Sequence, residues 1–255
     1  MQVSKLLSWN VNGLRSVAKK GFLDTVRMLD ADMLCLQETR ARMEQLPPEI
    51  LNIPGYHSYF VAAERGGYSG VALYSKEEPL DIQIGLGVPE FDKEGRVIIA
   101  RYRDFSLFNC YFPNGGSSAE RLQYKMAFYE ATLDFAKKAQ NLLICGDVNT
   151  AHQPIDLARP KENEKISGFL PQERAWIDQL LAAGYWDTLR LFHPMEEALY
   201  SWWDMKSRAR ERNVGWRIDY FFAQEALRPR LQDAFLLPEV HGSDHCPVGI
   251  TLERV

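Results

Sequence analysis

Short apolar runs that end in polar side chains recur along this chain. Residues 142–145 (LLIC) are apolar and Gly146 follows them, which is the pattern of a buried strand whose end lies close to another backbone. Asp147 and Asn149 come next, and a spacing of two places both side chains on one face of a strand. Such a carboxylate and amide are suited to hold a water or a metal beside a phosphate. The alternative is that Asp147 only caps the following turn.

The periodicity of the other segments predicts a single mixed α/β domain over residues 1–255. Strands are predicted at 3–11, 32–38, 56–62, 69–75, 96–102, 106–112, 142–145, 216–223 and in a last segment ending at 252, and helices at 22–29, 119–139 and 171–183. Residues 85–95 and 150–168 are predicted loops, and the length of the second is typical of a functional loop. Because strands outnumber helices and often meet through short turns, a sheet-on-sheet core with outer helices is favoured over a wholly parallel sheet.

Polar residues stand at the ends of most of these strands. They are Asn10 and Asn12, Glu38, Tyr111 and Asn114, Asp147 and Asn149, Asp219, and Asp244 and His245. Oxygen ligands with one imidazole suit Mg²⁺ or Mn²⁺ better than zinc, and the sequence contains no zinc, Walker or serine-hydrolase motif. Each residue also has a structural interpretation: the two asparagines as turn formers before Gly13, Glu38 as the first solvated loop residue, and Tyr111 as core.

Asp219 lies between Ile218 and Tyr220 in a predicted strand. A carboxylate within a hydrophobic strand must be paired or coordinated. A buried carboxylate that holds one ring nitrogen of a histidine fixes the tautomer and raises the pKa of the imidazole. Asp219 is therefore the predicted partner of His245, and the alternative is that His245 is only a turn residue.

The most basic segment spans residues 206–217, and Tyr200, Trp202, Trp203 and Trp216 lie beside or within it. Nucleic-acid grooves use arginine to hold phosphates and aromatic faces to receive a base or sugar. The segment therefore predicts a nucleic-acid contact, and the alternative is a solvated helix face.

The predicted strand at 216–223 also separates two kinds of side chain. Its alternation places Trp216 and Ile218 on one face and Arg217 and Asp219 on the other. An apolar wall would then lie directly behind the polar site.

The formal net charge is −4, from 30 basic and 34 acidic residues, which is not the charge of a simple nucleic-acid coat protein. An enzyme can still confine positive potential to one face, and Arg15, Lys19 and Lys20 form a second basic patch. The four cysteines are widely spaced without a Cys-x-x-Cys pair, so buried, reduced thiols and a cytoplasmic location are expected. No signal peptide or membrane-spanning run is present in the sequence, and a monomer that binds no membrane is expected.

Nine motifs, in order along the chain, resemble those of exonuclease III, and more closely its apurinic/apyrimidinic endonuclease branch within the DNase I-like endonuclease/exonuclease/phosphatase superfamily. They are SWNVNGLR (8–15), LCLQET (34–39), GYSGVA (67–72), EGRVI (94–98), YFPNG (111–115), CGDVNTAH (145–152), SGFLPQER (167–174), NVGWRIDYF (213–221) and GSDHCP (242–247). The resemblance covers essentially the whole chain, and nine ordered motifs are highly specific.

The resemblance implies a four-layer α/β sandwich with two facing mixed β-sheets flanked by helices. It also implies a Mg²⁺-dependent enzyme of base excision repair, with Mn²⁺ as a substitute ion, that cuts double-stranded DNA 5′ to an abasic site and leaves a 3′-OH. Further implied activities are 3′→5′ exonuclease and cleaning of 3′ ends, in a protein that associates with the nucleoid when bound to DNA. Some archaeal relatives with a stretch similar to residues 155–163 (IDLARPKEN) also nick at deoxyuridine.

Carried over by position, the resemblance assigns a role to each candidate residue. The expected catalytic residues are Asp147, which activates or orients the attacking water, His245, Asp219, Tyr111, Asn149 and Glu38. The metal is expected mainly at Glu38, with Asn12, Asp147, Asn149 and Asp244 around it. The expected phosphate contacts are Asn10, Asn114, Asn149 and His245, and the expected abasic pocket is Trp202, Trp216 and Ile218. Further DNA contacts are expected from Arg15, Lys20, Tyr68, Arg159, Asn163, Arg208 and Arg212.

Two other functions stay open at this point. One is a superfamily phosphoesterase that acts on a small phosphorylated molecule, which would not need the tryptophans and arginines of residues 202–217. The other is a catalytically silent DNA- or protein-binding module, and the intact set of catalytic residue types argues against it.

Overall fold

The computed structural model describes residues 2–254. The strands are β1 (Gln2–Asn10), β2 (Met33–Gln37), β3 (His57–Val61), β4 (Val71–Ser75), β5 (Asp81–Ile84), β6 (Val97–Arg101), β7 (Ser106–Tyr111), β8 (Leu142–Asp147), β9 (Tyr185–Asp187), β10 (Trp202–Trp203), β11 (Gly215–Trp216), β12 (Asp219–Gln224), β13 (Leu231–Leu236) and β14 (Val248–Arg254). The α-helices are α1 (Leu14–Ala18), α2 (Phe22–Leu29), α3 (Pro48–Leu51), α4 (Pro89–Asp92), α5 (Ala119–Lys138), α6 (Pro160–Asn163), α7 (Pro171–Ala182) and α8 (Thr188–Phe192). Of the predicted loops, 85–95 contains α4 and 150–168 contains α6.

Two mixed six-stranded sheets form the centre of the fold. The first has the strand order β13-β14-β1-β2-β4-β3, and the second has the order β5-β6-β7-β8-β12-β9. In each sheet one central pair is parallel, β1 with β2 and β7 with β8, and the other neighbours are antiparallel. The two strands β10 and β11 pair separately as a short ribbon. The predicted sandwich of two mixed sheets is confirmed.

Alternate residues of the central strands face different layers, which explains their continuous apolar runs. On β8, Leu143 and Cys145 belong to the core between the sheets, whereas Leu142 and Ile144 belong to the core beneath α5 and α7. The opposite outer core lies under α1 and α2 on the first sheet. The four layers are therefore helix, sheet, sheet and helix.

The parallel strands place their carboxyl ends at the same edge of the sandwich, where the chain turns sharply. The residues that follow β1, β2 and β8 include Asn12, Glu38 and Asn149, with φ of 45°, 56° and 56°. Asparagine tolerates this left-handed region, but glutamate rarely adopts it. These turns bring polar side chains from both sheets to one place.

The predicted single strand at 216–223 is wrong, because the strand is interrupted at Arg217 and Ile218. The guanidinium of Arg217 is buried, and it donates to Asp156 Oδ1 at 2.8 Å and to both oxygens of Asp187 at 3.0 and 2.7 Å. The backbone N–H of Arg217 also donates to the Asp156 carbonyl at 2.7 Å. Asp219 contacts a different set of partners, Ser201 and His245.

Residues 206–217 are not a solvated helix, because 3₁₀ turns at 205–207 and 209–212 replace it. Arg210 donates to the carbonyls of Ser243, Pro238 and Val240 and stacks over the ring of Trp203 at 4.6 Å. This arginine therefore supports the fold, as Arg217 does. Arg208 and Arg212 remain exposed.

Among residues 2–254, no helix has the length and apolar character that crossing a membrane requires.

We expect Arg217→Met to destabilise the protein by about 3–5 kcal/mol, because it leaves the buried Asp156 and Asp187 carboxylates without their main cation. Urea unfolding followed by circular dichroism measures the change. Arg27→Met is the control, since Arg27 is 68% exposed in its pair with Asp24 and its loss should be undetectable. An equally small effect at Arg217 would contradict the assigned role of this network.

Candidate active site

A cleft of about 350 Å³ opens at the edge where the polar strand ends meet. It is lined by Asn12, Glu38, Arg40, Tyr111, Asn114, Asp147, Asn149, Ile166, Ser167, Gly168, Trp202, Trp216, Ile218, Asp244 and His245. Eleven of these residues were candidates from the sequence, and two further candidates, Asn10 and Asp219, lie buried behind the cleft.

Asn10 connects the carboxylates on the two sides of the cleft. Its side-chain Nδ2 donates to Asp147 Oδ2 at 2.9 Å and to Glu38 Oε2 at 3.0 Å. Its Oδ1 accepts from the backbone N–H of Asn12 at 2.9 Å, and the residue is fully buried. Because both amide hydrogens are used in this way, Asn10 fixes the positions of Glu38 and Asp147 relative to each other.

Asp147 and Asn149 are adjacent, but the predicted reason is wrong. β8 ends at Asp147, and Asn149 lies in a left-handed turn rather than on the same strand face. The Asn149 backbone N–H donates to Asp147 Oδ1 at 2.8 Å, and its Nδ2 lies 3.2 Å from Asp147 Oδ2. Asp147 therefore caps this turn and lines the cleft at the same time, so the two interpretations of the sequence are compatible.

His245 and Asp219 form the predicted pair. The Nδ1 of His245 lies 2.8 Å from Asp219 Oδ2, which also accepts from Ser201 Oγ at 2.6 Å. Since a carboxylate oxygen can only accept, Nδ1 carries a hydrogen. The other ring nitrogen, Nε2, points towards Asp147 Oδ2 at 4.0 Å. The remaining oxygen of Asp219, Oδ1, is buried and has no hydrogen-bond partner among residues 2–254.

The charges of this cluster shift each other's protonation. Burial alone lowers the pKa of His245, but the charge and hydrogen bond of Asp219 outweigh it and raise the pKa to about 10. Burial, together with the charge of Asp219, raises the pKa of Asp147 to about 7, although His245 and the hydrogen bond from Asn10 oppose the rise. The cleft thus pairs a stable imidazolium with a carboxyl that titrates near neutrality.

Two groups of side chains can hold a metal ion. Ligand atoms of Asp147, Asp219 and His245 lie within 4.8 Å of one another, but an imidazole must lose its proton before it can bind a metal. The side of the cleft formed by Glu38 and Asn12 is the second candidate, and its role as the metal site stays a prediction. Its carboxylate and amide oxygens match the ligands that hard divalent cations prefer.

Two arginines, Arg40 at the cleft and Arg96 buried beside Tyr111, were not among the residues predicted from the sequence. Arg40 donates from Nε to Glu38 Oε1 at 2.9 Å, and its Nη2 contacts the same oxygen. Arg96 lies under the ring of Tyr111, 4.9 Å from the ring centroid, and donates to the Tyr111 carbonyl at 2.7 Å. The position of Arg40, two residues after Glu38 and directly after the motif LCLQET (34–39), is the signal that could have identified it.

Trp202, Trp216 and Ile218 form the apolar wall of the cleft, as predicted. The two indole rings meet edge to face, with centroids 6.3 Å apart. Trp202 Nε1 donates to Asp244 Oδ2 at 3.1 Å, and Asn12 Nδ2 donates to Asp244 Oδ1 at 2.9 Å. Asp244 therefore joins the apolar wall to the polar side of the cleft.

The predicted DNA-contact residues lie outside the cleft, at its margins or beyond. Arg15 lines a neighbouring groove that shares Arg40 with the cleft, and Tyr68 lines another groove with Arg121. Lys20 donates to the Gly242 carbonyl at 2.9 Å. Arg159 directly precedes the short helix α6 and Asn163 is its last residue. Arg208 lies between the two 3₁₀ turns, and Arg212 ends the second. None of these predicted DNA-contact residues lines the cleft, so their role stays a prediction.

Residues 7–245 match the model of the Endonuclease/Exonuclease/phosphatase family. The chain belongs to this family. It is 44% identical to an exodeoxyribonuclease of Bacillus subtilis (strain 168) over 97% of this chain and 99% of that protein, and 45% identical to the DNA repair nuclease APEX1 of Danio rerio over 97% and 82%. The solved structure of an AP endonuclease from Archaeoglobus fulgidus has a TM-score of 0.89 and 30% identity, covering 98% of this chain and all of that one. The family resemblance, the fold class and the assignment as an enzyme are confirmed.

We expect Asp219→Asn to lower the pKa of His245 by about 1–3 units, because the substitution removes the charge that stabilises the imidazolium. The wild-type imidazole is protonated at neutral pH and loses its proton only as the pH rises towards about 10. The pKa of Asp147 should fall as well, from about 7, since the same charge raises it. NMR titration of the His245 ring nitrogens and the Asp147 carboxyl carbon measures both.

The matched control for this titration is Asp24→Asn on α2, where the side chain is 83% exposed. It should leave both midpoints in place. An unchanged His245 midpoint in Asp219→Asn would refute the assigned electrostatic role of Asp219.

Proposed function

We propose that this enzyme is a Mg²⁺-dependent DNA-repair phosphodiesterase that cuts duplex DNA 5′ to an abasic site and leaves a 3′-OH. We further propose 3′→5′ exonuclease and 3′-end-cleaning activity at the same cleft. The observation that carries this proposal is the joint position of three features: the carboxylates held by Asn10, the imidazolium of His245, and the tryptophan wall. A phosphodiester whose sugar lies against the tryptophan wall would face both the Asp147 carboxylate and the His245 imidazolium.

In the proposed reaction, Asp147 accepts a proton from the water that attacks the phosphorus. Its raised pKa of about 7 is suited to a general base that works near neutrality. His245 lies 4.0 Å from Asp147 and would stabilise negative charge on the phosphoryl oxygens, with Asp219 keeping the imidazole charged. The Asn149, Asn114 and Tyr111 side chains line the same cleft and would contact the phosphate.

Glu38 would hold Mg²⁺, with Asn12 beside it. When bound, the ion would neutralise phosphate charge and stabilise the leaving 3′-oxygen. Arg40, which contacts Glu38 and lines the cleft, would contribute a second positive charge near the phosphate.

The selectivity for abasic sites would come from the apolar wall. Extruding a nucleotide from the duplex is least costly where no base remains to be unstacked, and a closed pocket excludes a normal base. Trp202, Trp216 and Ile218 would contact the flipped sugar. The flanking duplex would be contacted by the exposed side chains of Arg15, Arg159, Arg208 and Arg212, together with Lys20, Tyr68 and Asn163.

We propose that the enzyme acts as a monomer at the nucleoid, in a reducing cytoplasm. The four cysteines, Cys35, Cys110, Cys145 and Cys246, are free and buried, which is consistent with a compartment that keeps thiols reduced.

The proposed function is tested with a panel of duplexes that carry an abasic site, a recessed 3′ end, a 3′-phosphate or a deoxyuridine, each in Mg²⁺ and in EDTA. We expect Mg²⁺-dependent cutting of the first three substrates. The deoxyuridine duplex establishes whether the pocket also accepts a small base. An abasic duplex that stays intact in Mg²⁺ would refute the proposal.

We expect Asp147→Asn to reduce abasic-site cleavage by about 10²–10⁴-fold, because the water loses its base, while the affinity for the abasic duplex in EDTA is retained. Rapid-quench kinetics and fluorescence anisotropy measure the two quantities. Asp134→Asn, an exposed position on α5, is the control and should have no effect on either. Normal cleavage by Asp147→Asn would assign the base to another residue.

We expect Glu38→Gln to raise the Mg²⁺ concentration for half-maximal cleavage by about tenfold or more, because the site loses its main anionic ligand. A Mg²⁺ titration of the cleavage rate measures this requirement. Glu44→Gln, at an exposed position, should leave it unchanged. If Glu38→Gln also leaves it unchanged, the ion is not bound at Glu38.

A further inference from the structure

Behind the cleft lies a buried ion pair that the proposed reaction does not use. Lys125 on α5 and Glu173 on α7 are both fully buried, and Lys125 Nζ lies 2.6 Å from Glu173 Oε1. Neither residue lines the cleft. A buried ion pair is weak evidence for stability, since the cost of desolvating both charges offsets much of their attraction. The geometry of the pair therefore calls for another explanation.

Lys125 is fixed to the turn that carries Asn149. Its ammonium donates to the Asn149 carbonyl at 2.8 Å and to Thr150 Oγ1 at 2.8 Å, besides Glu173. An ammonium has three hydrogens, so all of its donor capacity is used. Asn149 in turn donates to both oxygens of Asp147. Lys125 is thus hydrogen-bonded directly to Asn149, the residue that contacts the candidate base Asp147.

Glu173 is fixed to residues 167–170, the segment that we call the Gly168 wall and that forms another side of the cleft. Its Oε1 also accepts from Ser167 Oγ at 2.8 Å, and its Oε2 accepts from the backbone N–H groups of Gly168 and Leu170 at 2.6 and 3.0 Å. Four donors saturate the carboxylate. Ser167 and Gly168 both line the cleft.

The segments held by the two partners meet at Gly168. A Cβ atom at this position would lie 3.2 Å from the ring of Trp216 and 3.4 Å from the Asn149 carbonyl. The backbone at Gly168 therefore packs directly against Trp216 and against the turn that carries Asn149. A shift of the Asn149 turn or of the Gly168 wall would change the distance between the proposed phosphate contacts and the apolar wall that contains Trp216.

We propose that the Lys125–Glu173 pair positions the Asn149 turn and the Gly168 wall as one unit, so that the reacting phosphate and the extruded sugar are held in a fixed relation. Both residues act through others and are positioning residues. The inference rests on the proposed function for its substrate. Substitution of the two partners should have different effects, because Lys125 contacts the Asn149 turn and Glu173 contacts the Gly168 wall.

We expect Lys125→Met to lower kcat by about 10- to 100-fold on both abasic-site and recessed 3′-end duplexes, because loosening the Asn149 turn misplaces Asp147. We expect Glu173→Gln to act mainly on the abasic-site duplex and to raise its KM about tenfold, because its wall is displaced. Steady-state kinetics on the two substrates measures this division. Lys137→Met and Glu130→Gln, at exposed positions on α5, are the matched controls and should leave all parameters unchanged.

The double variant decides whether the pair is a unit. Because either substitution breaks the same Lys125–Glu173 bond, the loss in kcat/KM on the abasic-site duplex for Lys125→Met with Glu173→Gln should be clearly smaller than the product of the two single losses. Losses that multiply would overturn the proposal, and so would single variants as active as wild type. If Lys125→Met does not fold, Glu173→Gln retains the side-chain volume, and equal KM changes on the two duplexes would refute the proposal alone.

Two further measurements separate the possible failures. Thermal unfolding of each variant identifies a purely structural role, which would lower the melting temperature while the kinetics below it stay normal, and that result would also overturn the proposal. Wild-type protein is assayed in parallel. If it leaves the abasic duplex intact, the proposed function fails, whereas normal wild-type cleavage with unaffected variants refutes only the positioning role.

Discussion

Asn10 donates its two amide hydrogens to carboxylates that belong to different sheets. Glu38 follows β2 in the first sheet, and Asp147 ends β8 in the second. Two carboxylates so near each other repel, and each loses hydration in the cleft. A neutral amide with two donors lowers that cost without supplying a cation that would compete with a metal or a phosphate. The arrangement of the cleft depends on this contact, because it sets the distance between the two sides across which a substrate would bind.

A second cluster of charged side chains behind the cleft has equal numbers of carboxylates and guanidinium groups. Asp156, Asp187, Arg190 and Arg217 satisfy one another behind the cleft, and the arginine charges hold the pKa of Asp156 at about 2 against the effect of burial. That network is balanced. The cluster of Asp147, Asp219 and His245 has two carboxylates for one imidazole. Burial raises the pKa of Asp147 and the charge of Asp219 adds to that rise, whereas the carboxylates raise the pKa of His245 against the effect of burial. Excess negative charge, rather than burial alone, distinguishes the candidate site from the structural network.

The sequence predicted the fold and most of the cleft because strand ends are local features. The apolar runs, the polar residues after them and the pairing of Asp219 with His245 could all be inferred from spacing and from the cost of a buried carboxylate. Arg217 could not be placed, since its partners Asp156 and Asp187 lie 61 and 30 residues away. The turn at Asn149 was mistaken for a strand because a spacing of two fits both structures. Lys125 and Glu173 looked like ordinary helix residues, and only tertiary packing brings them together.

Under the proposed function, the ribbon of β10 and β11 would make selectivity and chemistry depend on the same geometry. Trp202 bridges to the segment of His245, and Trp216 bridges to Leu157 in the long loop that leads to the Gly168 wall. A displacement of either tryptophan would therefore move the imidazole, or the loop, through hydrogen-bonded backbone. Packed interiors deform little, so these contacts transmit a change in position rather than absorb it. Under the proposed function, a sugar that fits the wall poorly would thus also be badly placed relative to His245 and Asp147.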